Sequence, residues 1–481
     1  MQKIARKHPK ALPYLFLTEM WERFGFYVVQ GLLVLFLTQG YGFSDDKSFT
    51  ILGSFSALAY IAPMIGGMVA DKVLGFKKSI FIGGLILSSG YALLALSNQQ
   101  NFYYALAVIV VGNGLFKPNI SSLLGVLYDD YEQSRDAGFT FFYVGINIGA
   151  LLAGFSSGFI KNHFGWHAGF ALASAGLILG VFTFAAGVKW GGIKYKFTFK
   201  DTPNFWLRKP LLVIYCFFSF GLIGVLLENE FVGEWFLPAV GVIILIYIFL
   251  LAYKYPPIER NKLLALNVLI ISSIIFWMIW MQIFFSANLF IDRIVNRDVF
   301  GIHIPTTVFY TLESIFVITL GPIFAWYWQR SGSLNNSSSH FTKFVFAIVF
   351  LGFGFIVLSL STFYPNDDGL VSPLWIVASY FLITFGEMLL SPIGLSAVTM
   401  LSPPKLTGMM MGIWFVALGF GGAFAGWLAK FSSVPEHVNS IADQLPIYRL
   451  AFLDYALIAF GVSILLFILQ LWLKKKLKLN Q

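Results

Sequence analysis

Several charged residues lie close together inside an apolar segment near the start of the chain. The stretch TEMWERFGFYVVQG, residues 18–31, carries Glu19, Glu22 and Arg23. A charged residue at the centre of a lipid-facing helix costs about 2.5–3.5 kcal/mol on insertion scales. We therefore expect these three side chains to face protein or a hydrated cavity, where carboxyl groups can bind and release protons.

Their spacing supports this expectation. On a helix, positions 19, 22, 23, 26, 27 and 30 share one face, which adds Phe26, Tyr27 and Gln30 to the charged residues. One interpretation is a structural ion pair that only fixes helix packing, because Arg23 satisfies one acid. The other interpretation is proton carriage, because two acids share one base and the second acid is left to titrate.

The composition of the chain indicates the element that must position these groups. The 481 residues are 58% hydrophobic and only 11% charged, whereas soluble domains carry about 25% charged residues. The apolar runs are about 20 residues long, which is the length of a membrane-spanning helix. The single cysteine, Cys216, excludes an intramolecular disulfide. The net charge of +9 is attributed to the excess of Lys and Arg in the cytoplasmic loops of membrane proteins. No nucleic-acid partner is expected.

We predict fourteen membrane spans. They lie near residues 13–37, 48–71, 78–97, 102–128, 136–162, 167–187, 209–228, 235–254, 260–290, 304–328, 341–362, 372–402, 405–432 and 447–473. Assigning alternate loops to the cytoplasm places most of the 32 lysines and arginines there, as the positive-inside rule requires. Both termini are then cytoplasmic.

The spans group as six, two and six. We predict an N-terminal six-helix bundle at 1–188, a basic linker with an accessory transmembrane hairpin at 189–258, and a C-terminal six-helix bundle at 259–481. Two such halves suggest a transporter with a central site between them. The hairpin lacks polar residues deep in its apolar runs, so we expect it to face lipid.

Five segments, taken together, resemble one known family. EMWERFGFY is similar to the ExxERFxYY signature of proton-dependent oligopeptide transporters, the POT branch of the major facilitator superfamily. AYIAPMIGGMVADKVLG, GNGLFKPNISSLLG, FFYVGINIGALLAG and FGEMLLSPIGLSAVTMLSPPKLTGMMMGIWF resemble later family segments in the same order. The resemblance covers nearly the whole chain and implies the major facilitator fold, with fourteen helices in an atypical bacterial member.

The resemblance also implies roles for single residues. Lys117 and Glu387 are lone opposite charges in the fourth and tenth family spans, and they match a gate pair; the alternative is that each is satisfied separately. Asn147 matches an asparagine that hydrogen-bonds peptide groups, although such a residue can also merely join two helices. Further matches to pocket residues are Tyr27, Tyr60, Trp277 and Trp414, although a single aromatic residue in so aromatic-rich a chain is more often a core or lipid-belt residue.

The chain departs from the family pattern at four positions. Phe26 replaces a tyrosine, and Gln30 replaces an arginine. In FWMIWMQ, Met281 replaces a glutamate whereas Gln282 is kept. Glu313 replaces an asparagine, and we hypothesise that it takes over the coupling or the amine-binding role of the missing glutamate. The alternative places Glu313 at a helix end in water.

We therefore predict a proton-coupled symporter that imports di- and tripeptides or peptide-like solutes by alternating access, with atypical selectivity. The residues assigned to proton coupling are Glu19, Glu22, Arg23, Lys117, Glu313 and Glu387. Those assigned to substrate binding are Tyr27, Gln30, Tyr60, Lys117, Asn147, Trp277, Gln282, Glu313, Glu387 and Trp414. The alternative is a carrier of a non-peptide solute, such as an amino acid, nitrate or a siderophore.

The remaining expectations concern chemistry and location. Six scattered histidines and the lack of an HExxH or phosphate-loop pattern indicate neither an enzyme nor a metal or cofactor site. We expect a monomer in the bacterial inner membrane, with protons, a small peptide and the bilayer as its partners.

Overall fold

The structure is a computed structural model that describes residues 8–193, 205–331, 337–403 and 406–477. Nearly all of these residues are helical, because an apolar segment in lipid must satisfy its own backbone hydrogen bonds. In chain order the helices are α1 (Leu12–Leu35), α2 (Asp45–Val69), α3 (Phe76–Ala95), α4 (Phe102–Leu127), α5 (Arg135–Trp190), α6 (Phe205–Glu228), α7 (Leu237–Ala252), α8 (Pro257–Trp280), α9 (Ser286–Ile294), α10 (Thr306–Ser331), α11 (Ser337–Ser361), α12 (Leu374–Leu401), α13 (Thr407–Ala429) and α14 (Ile441–Leu477).

Short stretches of other helix types extend or join these elements. Five-residue π-helical turns follow α1 and α2 and precede α7, and short 3-10 turns precede α5 and follow α8 and α13. The π-helical turns are Phe36–Gly40, Ala70–Leu74 and Val232–Phe236, and the 3-10 turns are Asp129–Ser134, Met281–Ile283 and Lys430–Ser432.

Twelve described helical stretches are long and apolar enough to cross a membrane, which confirms the predicted all-α polytopic class. One of them contains α5, whose 56 residues would extend about 84 Å as one rod. A bilayer core is only about 30 Å thick. Gly165 interrupts α5 with a φ of 85°, between the spans predicted at 136–162 and 167–187. The count of fourteen spans stays a prediction.

The ninth predicted span is built from two helices. The sequence predicts one span at 260–290, and the structure forms it from α8, a 3-10 turn at Met281–Ile283 and α9. The chain then forms a small hairpin of β1 (Asp298–Val299) and β2 (Ile302–His303), which pair in antiparallel register. This hairpin is not part of the sequence prediction.

The chain divides into two compact units. The first comprises Met1–Leu33 and Leu58–Asn229, and the second comprises Val34–Ala57 and Glu230–Gln481. The division therefore falls between α6 and α7, and it places the turn between α1 and α2 in the second unit. The predicted three-part organisation at 1–188, 189–258 and 259–481 stays a prediction.

Small residues allow close helix packing inside the first unit. A Cβ atom on Gly66 of α2 would lie 1.9 Å from the carbonyl oxygen of Gly114 of α4, and one on Gly112 would lie 2.4 Å from the backbone nitrogen of Leu87 of α3. Asn113 adds a hydrogen bond of 2.6 Å from Nδ2 to the Ala59 carbonyl oxygen. Such contacts are typical of membrane helices, whose association depends on close packing and interhelical hydrogen bonds.

Glycines also allow close helix packing inside the second unit. A Cβ atom on Gly421 of α13 would lie 2.7 Å from Cβ of Trp277 of α8, and one on Gly426 would lie 2.6 Å from the carbonyl oxygen of Phe49. Gly426 thus packs α13 against the start of α2. The Gly421 contact holds α8, which carries the candidate site residue Trp277, against α13.

Candidate functional site

A buried charge cluster lies in the first unit. Arg23 donates from Nε to Oε2 of Glu22 at 2.6 Å and from Nη2 to Oε1 of Glu22 at 2.5 Å. Glu19 is more loosely held, because its Oε1 lies 3.6 Å from Nε of Arg23. The three residues are at most 3% exposed. The cluster is therefore enclosed by protein, as the stripe on α1 predicts.

The local sequence explains why the cluster can be buried. Helical spacing places Glu19 and Arg23 one turn apart, and α5 approaches α1 closely at this level. A Cβ atom on Gly149 would lie 2.3 Å from the Met20 carbonyl oxygen and 3.2 Å from Cβ of Arg23. Glycine at position 149 therefore lets the α5 backbone shield the ion pair.

Lys117 adds a second cation to this cluster. Its Nζ lies 4.7 Å from the ring centroid of Tyr60 and 5.6 Å from that of Phe26. The Arg23 guanidinium lies 4.8 Å from the same Phe26 ring. Lys117 also interacts electrostatically with the three charged residues of α1. Phe26, where the family pattern has a tyrosine, thus contacts both cations of the cluster with its aromatic ring, an arrangement worth about 0.5–2 kcal/mol per contact.

The other candidates of the first unit occupy different environments. Gln30 is 3% exposed, whereas Tyr27 is half-buried and its ring meets that of Phe26 edge-on at 5.7 Å. Asn147 is 5% exposed and donates from Nδ2 to the Tyr143 carbonyl oxygen of its own helix at 3.0 Å. Their proposed contacts with substrate stay predictions.

A second cluster lies in the second unit and contains two acids. Glu313 of α10 and Glu387 of α12 interact electrostatically. Trp280 of α8 donates from Nε1 to Oε2 of Glu387 at 3.0 Å, and Ser314 donates from Oγ to Oε2 of Glu313 at 3.2 Å. Glu313 is the eighth residue of α10 and is half-buried, so it does not lie at a helix end in water.

The remaining candidates of the second unit are packed side chains. Gln282 is fully buried; its Nε2 donates to the carbonyl oxygens of Met278 and Ala425, and its Oε1 accepts from Ser286. The Gln282 amide therefore holds the 3-10 turn between α8 and α9 in contact with α13. Trp277 is 9% exposed and meets the ring of Trp280 at 5.2 Å.

Trp414 of α13 is likewise a packed residue. It is 4% exposed, and a Cβ atom on Gly394 of α12 would lie 2.0 Å from its ring. Gly394 therefore provides the space into which the indole packs. A role of Trp414 in substrate binding stays a prediction.

Sequence reasoning missed two features of the second unit. Trp280 belongs to the carboxyl cluster, and its spacing of three residues from Trp277 was the available signal. Arg293 of α9 forms a two-pronged ion pair with Asp45 of α2, with both N–O distances at 2.7 Å. Both residues lie near predicted span ends, where charges are common, so no sequence signal singled them out.

No group of three or more His, Cys, Asp or Glu side chains within the described ranges could hold a metal ion. The candidates fall into two sets, one in each compact unit. Glu19, Glu22, Arg23, Tyr27, Gln30, Tyr60, Lys117 and Asn147 belong to the first unit, and Trp277, Gln282, Glu313, Glu387 and Trp414 belong to the second. The predicted gate pair of Lys117 and Glu387 draws on both sets and stays a prediction.

Many apolar spans that enclose buried acids and bases define a polytopic membrane protein of the transporter class. The model of the POT family matches residues 77–445 of the chain. The chain is 32% identical to dipeptide and tripeptide permease A of Serratia proteamaculans over 465 residues, 96% of this chain and 91% of the permease. The chain belongs to the POT family.

Solved structures agree with this assignment. A peptide transporter POT crystallised in complex with sulfate shares 30% sequence identity and a TM-score of 0.85, over 99% of this chain and 96% of that one. Tetrameric PepTSo2, solved by crystallography, shares 28% identity and a TM-score of 0.85, over 97% of this chain and 99% of that one. The fold is that of the major facilitator superfamily, as the resemblance implies.

Proposed function

We propose that this protein imports di- and tripeptides together with protons. The observation that carries the proposal is the cluster of buried Glu19, Glu22 and Arg23 with half-buried Lys117 beside it, in a chain that is similar over nearly its whole length to dipeptide and tripeptide permeases. Intramembrane acids and bases of this kind mark proton relays and substrate pathways in transporters.

The cluster assigns different tasks to the two acids of α1. Glu22 accepts two short charge-assisted hydrogen bonds from Arg23. A bidentate pair of this kind is among the strongest ion pairs in proteins. Glu19 is 3.6 Å from Arg23, and its Oε2 is buried and lacks a hydrogen-bond donor among the described residues. Glu19 is therefore the acid that takes up and releases the transported proton, and Glu22 holds Arg23 in place.

Lys117 links proton and substrate. Its ammonium group is attracted by Glu19 and Glu22 and repelled by Arg23, so a change of proton occupancy at Glu19 changes the field at Lys117. An ammonium group also binds the carboxylate of a peptide. Substrate arrival and protonation of Glu19 thereby favour one another, which is the requirement for symport. Each proton that enters supplies about 2.3 kcal/mol per 100 mV of membrane potential.

The proposal also covers the membrane location, the orientation and the oligomeric state of the protein. We place the protein in the bacterial inner membrane with both termini in the cytoplasm, because most lysines and arginines then lie in cytoplasmic loops. It acts as a monomer, without a cofactor and without enzymatic activity. Gel filtration with light scattering tests the monomer, because a tetramer, as in the solved relative, would give four times the mass.

Uptake into proteoliposomes tests the proposal. Liposomes with an acidic exterior and purified protein are offered labelled dialanine, with unlabelled dipeptides and tripeptides, including lysyl peptides, as competitors. We expect accumulation that disappears when a protonophore removes the gradient, and that is lost in Glu19→Gln. The variant Asp367→Asn, which alters an exposed loop carboxyl, serves as the control and keeps uptake.

The outcome that would overturn the proposal is equally clear. If no peptide in the panel is taken up or competes while the protein is folded and inserted, the transported solute is not a peptide. If uptake persists unchanged without the gradient, the coupling to protons is wrong and the peptide assignment stands.

A further inference from the structure

An apolar pocket lies in the first unit, between α6 and the helices α3 and α4. It has a volume of about 210 Å³. Six side chains line it, none of which carries a nitrogen or oxygen atom: Ile86 of α3, Val108 and Val111 of α4, and Cys216, Phe217 and Phe220 of α6. An apolar cavity of roughly 150 Å³ holds a benzene molecule. This pocket therefore has room for several carbon atoms of a hydrocarbon chain and suits an apolar ligand.

Direct contact between α4 and α6 closes one end of the pocket. The ring of Tyr104, near the start of α4, lies 5.8 Å from that of Phe220, and a Cβ atom on Gly224 would lie 3.3 Å from the same tyrosine. Further along α4, Val111 lines the pocket together with Phe217, which precedes Phe220 on α6. The two helices therefore run antiparallel, and the pocket continues from their contact toward the start of α6.

The pocket is open on its outer side. Phe217 is 74% exposed although it lines the pocket, and Cys216 beside it is half-buried. The neighbouring side chains Leu85 of α3 and Val213 of α6 are also exposed. On a membrane-spanning protein, an exposed apolar surface of this kind faces lipid. The molecule that meets the opening is therefore a membrane lipid, through its acyl chain.

Helix α3 has the same direction as α6. A Cβ atom on Gly90 of α3 would lie 2.8 Å from the backbone nitrogen of Ile109 of α4. One on Gly83, two turns earlier on α3, would lie 2.7 Å from the backbone nitrogen of Phe116, two turns later on α4. Thus α3 is antiparallel to α4, as α6 is. The starts of α3 and α6 consequently lie at the same end of the first unit.

Basic residues stand at this common end. Lys78, Ile82 and Ile86 follow one another at intervals of four residues along one face of α3, and Lys78 is exposed. On α6, Lys209 precedes Phe217 by eight residues, as Lys78 precedes Ile86. Eight residues of helix rise about 12 Å, whereas the hydrocarbon of one leaflet is roughly 15 Å thick. When the pocket lies inside a leaflet, both helix starts are therefore near the depth of the lipid headgroups.

We propose that the pocket binds one acyl chain of an anionic phospholipid, with the lipid phosphate at the basic end of α3 and α6. In the orientation proposed above, this end lies on the cytoplasmic side, where lysines and arginines next to the membrane attract anionic lipids. The acyl chain fills the space between α3, α4 and α6, so the lipid holds α6 against the first unit. The inference goes beyond peptide transport, because it holds whichever solute the protein carries.

The arrangement fits a phospholipid better than other apolar ligands. A hydrocarbon space and a positive charge, about 12 Å apart along α3, match a molecule that carries an acyl chain and an anionic headgroup at opposite ends. An apolar solute has no group for Lys78 to bind. The apolar side chain of a second copy of the chain would fill the pocket without any need for the lysine.

The single cysteine of the chain reports directly on the pocket. Cys216 is part of the lining, and no other thiol competes for a reagent. The purified full-length protein, in detergent with dioleoyl phosphatidylglycerol, is treated with N-ethylmaleimide, and the rate of alkylation is followed by intact mass. Dioleoyl phosphatidylethanolamine, which has the same acyl chains and no net charge, is the control lipid.

We expect phosphatidylglycerol at about ten times its Kd to slow the alkylation about tenfold, because the rate follows the fraction of pockets without lipid. Phosphatidylethanolamine at the same concentration should have a much smaller effect. The protection should not change when the protein is diluted at constant lipid concentration. Native mass spectrometry provides a second readout and should show one phosphatidylglycerol molecule retained per protein.

Two variants with matched controls locate the site. Val108→Trp places a large ring in the pocket and should abolish the retention of phosphatidylglycerol. Val225→Trp makes the same change at an exposed position of α6 that does not line the pocket, and should keep it. Lys78→Gln should reduce the preference for phosphatidylglycerol over phosphatidylethanolamine. Lys254→Gln, which alters an exposed lysine of the second unit, should leave that preference unchanged.

The inference is overturned if Cys216 is alkylated at the same rate with and without phosphatidylglycerol. Equal protection by the two lipids, or an unchanged lipid preference in Lys78→Gln, would overturn the anionic headgroup. Protection that depends on protein concentration and not on lipid would assign the pocket to a contact between two copies of the chain. Gel filtration shows that each variant is folded, and the exposed position of Lys78 keeps the test decisive if Val108→Trp does not fold.

Discussion

Arg293 and Asp45 form a two-pronged ion pair in which Nη1 and Nη2 of the guanidinium each lie 2.7 Å from a carboxylate oxygen. Asp45 also accepts a hydrogen bond of 3.0 Å from the backbone N–H of Val434, and Arg293 donates to the Tyr448 hydroxyl at 3.2 Å. The start of α2, the end of α9 and the turn before α14 are thus tied at one point of the second unit. Asp45 is 5% exposed, so water screens this pair only weakly.

The first prediction concerns the strength of this tie. Asp45→Asn removes the charge and one of the two carboxylate contacts, and hydrogen bonds to charged groups contribute about 1.5–3 kcal/mol. We expect a loss of stability of that order, measured as a lower Tm in detergent. The exposed carboxyl Asp368 provides the matched control, because Asp368→Asn should leave Tm unchanged. Equal Tm values for the two variants would show that the pair contributes nothing to stability.

The second prediction separates the two acids of α1. Glu19→Gln should abolish gradient-driven uptake while peptide exchange between two equally loaded compartments continues, because exchange needs no net proton movement. Glu22→Gln should reduce both activities and lower Tm, because Arg23 loses its bidentate partner inside the protein, a change that costs about 3–5 kcal/mol for buried pairs. Uptake and counterflow assays on the same vesicles measure both. Reversal of the two phenotypes would exchange the roles assigned to Glu19 and Glu22.

The sequence was sufficient to predict this part of the site. Three charged residues in one apolar span can avoid lipid only by sharing a face of the helix, so their burial followed from helical periodicity alone. Long apolar runs likewise predicted helix boundaries to within a few residues. For example, α4 spans Phe102–Leu127, and the predicted span was 102–128.

Other features depend on contacts that periodicity does not encode. Glu313 and Glu387 are 74 positions apart, and their interaction depends on how α10 and α12 pack. The break at Met281–Ile283 depends on Gln282, whose amide bonds both to its own helix and to α13. The grouping of Val34–Ala57 with the second unit depends on contacts such as Asp45 with Arg293, which a hydropathy pattern cannot reveal.

The third prediction concerns helix packing in the first unit. Gly66→Ala should destabilise the protein and lower the yield of folded material, because the new Cβ would lie 1.9 Å from the carbonyl oxygen of Gly114 and backbone atoms cannot move aside. Overpacking costs about 1–3 kcal/mol, and a clash with backbone lies at the upper end. Gly221→Ala is the control, because a Cβ there meets no atom within 4 Å. Yield of monodisperse protein is the measurement, and equal yields would refute the close contact of α2 with α4.

The last prediction uses two tryptophans of α8 that differ in one hydrogen bond. Trp280 donates to Glu387 at 3.0 Å, whereas Nε1 of Trp277 has no acceptor among the described residues. Phenylalanine at either position keeps an aromatic ring and removes the N–H. Trp280→Phe leaves this carboxyl group without the indole donor, so Glu387 should be a weaker ligand for the ammonium group of a peptide, in keeping with the substrate-binding role predicted for it.

We therefore expect Trp280→Phe to weaken the binding of dialanine about tenfold, equivalent to about 1.4 kcal/mol, with little change for N-acetyl-dialanine. Trp277→Phe should affect both peptides to the same small extent, because it alters only packing. Titration calorimetry at one pH measures the four Kd values. Equal losses for the two peptides in Trp280→Phe would mean that its indole acts through packing, and that Glu387 does not bind the ammonium group.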